Sequence, residues 1–360
     1  MGIPGTSRRR LLVTGACVAA VVAAVTFVEP SRPKGSDPGP PVSAAVAEPA
    51  GEDGVLRQSR AEIKATVAGF RKVDDHPLYE MTYHGGYDRE REVTADRLRR
   101  STRDWACSLF VSHGAAPVYG RNFDWQRSPV LAVRSDPPDG YSSFSLVHLA
   151  VLFDDPAAAL ALDDAATRTR LAHAVLIPFD GMNEKGLAVG MAQVPEGGVP
   201  APDPARPTVN SVRIIRIMLD QAASVDEAIA LFRRYNVDFA GGPKIHYLVA
   251  DATGKSAVLE FSDGELKVLP GTGTWQAATN FTQAETPPAD WRADRRYGLA
   301  ARRLERGPLD WKGAMNLLEQ VSQHHTRWSV VYDLKGGTAR VAMGKRYGTV
   351  HTFKLADLDP

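Results

Sequence analysis

The feature that most constrains this chain is a single cysteine, Cys107, in the stretch from Trp105 to Trp125. The chain has only one other cysteine, and that residue lies in an apolar N-terminal run typical of an export signal. In an exported protein, one remaining cysteine has no internal disulfide partner. It therefore forms an intermolecular bridge, lies buried and inert, or is reactive.

An arginine and an aspartate follow this cysteine. The residues after Cys107 predict two strands joined by a hairpin at 112–115, which would return Arg121 and Asp124 to its side. We expect the guanidinium to lower the pKa of the thiol, and a nearby carboxylate can orient a base. The pattern is typical of a catalytic site.

The N-terminal part predicts export and tethering. Residues 1–28 are interpreted as an export signal or membrane anchor, because arginines 8–10 precede an apolar run without charge up to Glu29. The arginines also fit the twin-arginine pattern for export across the cytoplasmic membrane, after which the protein is secreted or anchored by residues 11–28. Residues 29–54, rich in Pro, Gly, Ala and Ser, predict a flexible spacer.

Charge and composition limit which kinds of partner we expect the protein to bind. A formal net charge of +1 provides no long-range field for nucleic acid, so we expect no nucleic acid partner. Membrane contact is expected only through the N-terminal segment. The Cys and His residues show no zinc spacing, and the adjacent pair at 324–325 diverges on any helix or strand, so no metal is expected.

The rest of the chain predicts a propeptide-like segment at 55–106 and a catalytic domain at 107–360. In that domain strands come first, then a helix pair within 211–236, then strands, helices and strands again. This order predicts an α+β fold with helices packed outside stacked antiparallel sheets. A helix or lid is predicted at 157–171, and strands are predicted at 145–153 and 174–179.

Two motifs resemble a known family. Cys-Ser-Leu-Phe at 107–110 is followed by Gly-Arg-Asn-Phe-Asp at 120–124, and Gly-Met-Asn-Glu-Lys-Gly-Leu stands at 181–187. These motifs resemble the cysteine N-terminal-nucleophile (Ntn) hydrolases of the linear amide C–N hydrolase group. That group includes penicillin V acylases, bile salt (choloylglycine) hydrolases and acyltransferases that act on 6-aminopenicillanic acid. The resemblance implies a four-layer αββα sandwich and needs no cofactor.

The resemblance also implies autocatalytic cleavage before Cys107. The new chain terminus would carry both a thiol nucleophile and a free α-amine, whose ordinary pKa of about 8 suits a general base at neutral pH. Arg121 would stabilise the thiolate and Asp124 would orient the α-ammonium. Asn280 would supply one oxyanion donor, and the backbone N–H of Gln193 the other.

Further site residues follow from the same resemblance. A family arginine at the start of a late helix corresponds to Arg296, with the adjacent Arg295 left open as the equivalent. Trp125, Phe179 and Met191 lie near the catalytic motifs and either line an apolar acyl pocket or pack in the core. The sequence pattern does not specify the acyl group, the amine or the oligomeric state, and a homo-oligomer is one of the alternatives.

The expected reaction is hydrolysis of a linear amide in a small N-acyl substrate through an acyl-thioester. An acyltransferase with the same residues is the alternative, and partition of the thioester between water and an added amine would decide between them. A catalytically silent, membrane-tethered binding protein would be indicated by loss of Cys107, Asp124 or Asn280, and all three are present. A papain-like protease is set aside because its cysteine opens a helix, whereas 108–111 predicts a strand.

Overall fold

The fold is described from a computed structural model, which covers residues 49–50, 54–91, 106–153, 164–240 and 242–358. The predicted export signal and almost all of the predicted spacer lie outside these residues. Within the described ranges, none of the helices combines the length and apolar character needed to cross a membrane.

The described strands and helices follow one another in this order. The strands are β1 (Pro49–Ala50), β2 (Leu56–Arg57), β3 (Arg71–Asp74), β4 (Leu78–Tyr83), β5 (Gly86–Tyr87), β6 (Ala106–Ser112), β7 (Val118–Asp124), β8 (Val130–Ser135), β9 (Ser143–His148), β10 (Asp180–Asn183), β11 (Ala188–Gln193), β12 (Thr208–Asn210), β13 (Asn236–Asp238), β14 (Ile245–Ala250), β15 (Ser256–Ser262), β16 (Glu265–Pro270), β17 (Trp275–Ala278), β18 (Thr326–Asp333), β19 (Thr338–Met343) and β20 (Val350–Lys354). The α-helices are α1 (Arg60–Ala68), α2 (Ala165–Leu171), α3 (Arg213–Gln221), α4 (Val225–Phe232), α5 (Arg295–Leu304) and α6 (Trp311–Gln320). Short 3-10 helices occupy Leu149–Val151, Ala172–Leu176, Pro288–Ala293 and Leu355–Leu358.

Two large sheets form the centre of the fold. The first has nine strands in the order β16-β15-β14-β11-β10-β9-β8-β4-β3, antiparallel except for the parallel pair β4–β8. The second has six strands in the order β17-β6-β7-β18-β19-β20 and is antiparallel throughout. Strand β6 of the second sheet packs against β11 and β14 of the first. The predicted α+β class with stacked antiparallel sheets is confirmed.

Helices cover the outer face of each sheet. Helices α3 and α4 pack on β10, β11, β14 and β15, whereas α5 and α6 pack on β6, β7, β17 and β18. Three of these helices begin at an N-cap residue, Ser224, Asp294 or Asp310. Each of these side chains accepts a backbone N–H of the first turn. The layers therefore run helices, sheet, sheet, helices, which is the predicted αββα order.

The segment before Cys107 contributes to the nine-stranded sheet. Helix α1 begins with a capping box between Ser59 and Glu62. Strand β4 lies beside β8, and β3 forms the sheet edge beyond it. The side chains of Leu78, Met81 and Tyr83 are buried in the main core. Much of the predicted propeptide-like segment is thus part of the same fold.

The structure corrects two strands that the sequence predicted. The strand predicted at 174–179 is instead the 3-10 helix Ala172–Leu176 followed by a non-strand link to β10. A short continuous apolar run does not distinguish a buried strand from a buried helix, and Pro178 cannot donate to a strand ladder. The strand predicted at 145–153 ends at His148. Of the helix or lid predicted at 157–171, the described part is α2.

Candidate active site

Cys107 is the second residue of β6 and is completely buried. The hairpin with β7 places it opposite Phe123, and places Ala106 opposite Asp124. The nine-stranded sheet comes close to β6 here because Gly190 of β11 has no side chain: a Cβ on it would stand 2.7 Å from the hydroxyl of Tyr119. The thiol therefore lies between the two sheets at the end of the hairpin.

Arg121 is fully buried beside this thiol, with its Nη2 atom 3.8 Å from Cys107 Sγ. The same nitrogen donates to the carbonyl oxygen of Met191 at 2.9 Å, and Nη1 donates to the carbonyl oxygen of Phe179 at 3.0 Å. Nη1 also forms a buried ion pair with Asp180. These contacts fix the guanidinium next to the sulfur.

Asp180 is a residue that the sequence reasoning missed. Its carboxylate accepts hydrogen bonds from Trp328 Nε1 at 3.0 Å and from the hydroxyl of Tyr332, in addition to the pair with Arg121. The available signal was its position directly before the 181–187 motif. An acid next to the 181–187 motif is a candidate counter-ion for Arg121 of the other motif.

The predicted lowering of the thiol pKa is wrong for the chain with Ala106 still attached. Burial raises the pKa of Cys107, and the positive charge of Arg121 only partly opposes this effect. That positive charge is itself paired with Asp180. A thiol in this environment is mainly protonated at neutral pH, so the reaction needs a base.

The predicted residues from three distant parts of the chain meet at Cys107. The backbone N–H of Cys107 donates to Asn280 Oδ1 at 2.8 Å, and Arg296 Nη2 donates to the same oxygen at 2.8 Å. Arg296 Nη1 donates to the carbonyl oxygen of Cys107 at 2.5 Å. Asn280 Nδ2 donates to the carbonyl oxygen of Gln193 at 2.7 Å. Arg295 is exposed, so the structure places Arg296 at the site.

The contact of Gln193 differs from the expected one. The sequence predicted its backbone N–H as an oxyanion donor, whereas the contact with Asn280 is made by its carbonyl oxygen. Gln193 is the last residue of β11, opposite Ile245. The oxyanion role of Gln193 stays a prediction.

Asp124 lies at the same end of the hairpin. Its buried carboxylate accepts from Gln323 Nε2 at 2.7 Å and from the hydroxyl of Thr326. Burial raises the pKa of Asp124, and the hydrogen bonds from Thr326 and Gln323 oppose that rise. No sequence pattern indicated Gln323 or Thr326 as partners of Asp124, because they become its neighbours only through the pairing of β7 with β18.

The three predicted pocket residues are all buried. The rings of Trp125 and Phe179 contact Phe123 edge to face, with centroids 6.1 and 5.3 Å away. Met191 belongs to the same core. A cavity of about 440 Å³ occurs elsewhere and is lined by other residues, among them Val199 and Phe239. The acyl pocket therefore stays a prediction.

The architecture defines a fold class. Two stacked antiparallel sheets, each covered by helices, form the αββα sandwich that the resemblance to Ntn hydrolases implied. Solved structures share the fold: a penicillin V acylase from Agrobacterium tumefaciens matches with a TM-score of 0.51 and 21% identity, over 70% of this chain and 88% of that one. A mutant conjugated bile acid hydrolase from Clostridium perfringens matches with a TM-score of 0.52 and 16% identity, over 71% of this chain and 94% of that one.

Sequence comparison gives a family match for part of the chain. Residues 167–296 match the model of linear amide C–N hydrolases, choloylglycine hydrolase family. A penicillin V acylase from Pectobacterium atrosepticum is 30% identical over 125 residues, which cover 31% of this chain. The match spans about a third (33%) of that relative's length. The resemblance indicated by the motifs is confirmed to this extent: residues 167–296 match the linear amide C–N hydrolases, and the fold is similar to that of the two solved structures.

Proposed function

We propose that the protein is a self-processing hydrolase of linear amide bonds in small N-acyl substrates, with Cys107 as nucleophile. One observation carries the proposal: Asn280 and Arg296 both hold the backbone of Cys107, while Arg121 stands beside its thiol. The region that matches the family model, residues 167–296, contains Asn280 and Arg296. It begins after Cys107 and does not include it. The role of Cys107 therefore rests on this geometry.

In self-processing, the Cys107 sulfur attacks the carbonyl carbon of Ala106. The C–N bond breaks, the nitrogen of Cys107 takes up a proton, and the Ala106 acyl group passes to sulfur as a thioester. Water hydrolyses the thioester and leaves a free thiol and a free α-amine on Cys107. The contact between Arg296 and the Cys107 carbonyl oxygen supports this step, because it holds the residue in place during the attack.

In turnover, the new α-amine accepts the proton of the thiol. A base suits this thiol, because burial raises its pKa in the uncleaved chain. The sulfur then attacks the substrate amide carbonyl, the amine leaves with a proton, and water releases the acid from the acyl-thioester. Asn280 Nδ2, which donates to the Gln193 carbonyl oxygen in the uncleaved chain, is the candidate side-chain donor to the oxyanion. Asp124 lies opposite Ala106, and this position supports its proposed role of orienting the α-ammonium.

We propose further that the segment before Cys107 stays bound after cleavage. Strands β3 and β4 belong to the nine-stranded sheet. The hydroxyl of Tyr87 donates to Asp220 of α3 at 3.0 Å, and Arg89 Nε donates to the same carboxylate at 3.1 Å. Loss of these residues would remove sheet pairing and leave Asp220 with fewer partners. The mature protein would thus be two chains that copurify.

The proposed substrate is a small N-acyl amide, and no nucleic acid partner is proposed. Export, with secretion or anchoring by residues 11–28, is proposed from arginines 8–10 and the apolar run after them. The boundary between 1–28 and 29–54 is proposed from composition, and the boundary between 55–106 and 107–360 from the proposed cleavage before Cys107.

The test combines mass with activity. Purified wild-type protein and the Cys107→Ala variant are analysed by intact mass and assayed on phenoxyacetyl, long-chain acyl homoserine lactone and bile-acid amides, with and without an added amine. We expect wild type to start at Cys107, to copurify with its N-terminal chain and to release acid. An active wild-type chain that still carries Ala106, or hydrolysis by Cys107→Ala, would refute the proposal. Acyl transfer to the added amine in preference to water would favour the acyltransferase.

A further inference from the structure

A buried pair of ionisable residues lies next to the site, outside the residues that the proposed reaction uses. His246 of β14 and Glu260 of β15 are both buried, and His246 Nδ1 lies 2.6 Å from Glu260 Oε1. The pairing of β11 with β14 places His246 opposite Ala192, the residue before Gln193. The pair therefore stands against the strand that contacts Asn280.

The carboxylate of Glu260 also holds the segment that follows Asn280. Its Oε1 accepts the backbone N–H of Gln283 at 3.0 Å, and its Oε2 accepts the backbone N–H of Ala284 at 2.8 Å. The side chain of Gln283 turns back and donates to the carbonyl oxygen of Ala277 at 2.8 Å. Both ends of the turn that presents Asn280 are thus fixed.

Three hydrogen-bond donors converge on the buried carboxylate of Glu260, and they favour its ionised form. Burial by itself raises the pKa of Glu260, but the hydrogen bonds from His246, Ala284 and Gln283 outweigh it, so the pKa is lowered. The other ring nitrogen of His246, Nε2, is buried and has no hydrogen-bond partner among the described residues. Glu260 is therefore the group that sets the hydrogen bonding of the His246 ring.

We propose that His246 and Glu260 form a positioning pair that keeps residues 280–284 in place, so that Asn280 stays between the Cys107 N–H and the Gln193 carbonyl oxygen. Neither residue touches the reacting atoms, and both act through Asn280. The effect on turnover rests on the proposed amide hydrolysis, whereas the effect on the 280–284 segment does not.

The first measurement is hydrogen–deuterium exchange of the backbone in Glu260→Gln. The amide of glutamine presents a donor where the carboxylate accepted one, so a backbone N–H loses its partner. We expect faster exchange in peptides covering 280–284 than in wild type. The matched control is Asp251→Asn: Asp251, at the other end of β14, is buried and accepts Val225 N–H at 3.0 Å and Thr253 N–H at 2.9 Å. It should leave exchange at 280–284 unchanged.

A second pair of variants tests the histidine. His246→Leu removes one of the three donors and should also speed exchange at 280–284. His246→Asn keeps an N–H donor near the place of Nδ1 and should restore part of the protection. Equal exchange in wild type, Glu260→Gln and His246→Leu would overturn the proposal, whether or not the protein hydrolyses amides.

The activity test is a double-mutant cycle with Asn280→Ala. Glu260→Gln should lower kcat by about 10²-fold, as a displaced catalytic group does, with little change in KM. In the Asn280→Ala background it should have almost no further effect, because the residue through which it acts is absent. Multiplied losses in the double variant, or an equal loss of kcat in Asp251→Asn, would overturn the proposal. Absence of hydrolysis in wild type would refute the proposed function instead, and exchange at 280–284 would then decide the positioning role.

Discussion

The substitution Asp180→Asn tests how the fold holds a buried positive charge beside the thiol. Arg121 and Asp180 are both completely buried, and they form an ion pair. Removal of one partner of such a pair typically destabilises a protein by about 3–5 kcal/mol, because the other charge stays buried without compensation. Arg121 keeps two carbonyl acceptors, at 3.0 and 2.9 Å, so we expect a loss near the lower end, about 3 kcal/mol.

The assay is denaturant unfolding in the Cys107→Ala background, so that self-cleavage does not change the chain during the measurement. The control is Asp226→Asn, which breaks an exposed pair with Lys255 and should change the free energy of unfolding by less than about 1 kcal/mol. A loss below about 1 kcal/mol for Asp180→Asn would refute the argument, since it would mean that the buried guanidinium does not depend on this carboxylate.

Three further predictions concern the site. Asn280→Ala should fold and process at least partly yet lose about 10²–10³ in turnover, and near-normal turnover on an N-acyl amide would mean that Asn280 is not an oxyanion donor. Cys107→Ser should still cleave slowly before residue 107 on a denaturing gel but lose most turnover, since serine has almost no anionic form near neutral pH; cleavage and turnover retained in Cys107→Ala would rule out this nucleophile. The pKa of Glu260 is lowered by folding, so its contribution to stability is present above its unfolded pKa of about 4.3 and is lost as pH falls through the folded value. The difference in unfolding free energy between wild type and Glu260→Gln should therefore shrink in acid, and a constant difference from neutral pH to about pH 3 would contradict this sign.

The sequence alone determined the features that depend on neighbouring residues. Ser224 and Asp310 cap the starts of α4 and α6, because a cap needs only a side chain and a backbone N–H a few residues apart. The 181–187 motif contains the end of β10 and the turn to β11, and the hairpin after Cys107 returns Arg121 to its side. The resemblance in these motifs then indicated the sandwich, which periodicity by itself described only as α+β.

Only the tertiary structure decided the charges and contacts of the site. Asp180 lies 59 residues from Arg121 in the sequence. Glu260, on strand β15, accepts a hydrogen bond from the turn after Asn280. The pKa of the Cys107 thiol is raised rather than lowered, because complete burial outweighs the nearby arginine, and burial is a property of both packed sheets. Local sequence sets caps, turns and alternation, whereas desolvation and ion pairing depend on atoms that come together only when the sheets stack.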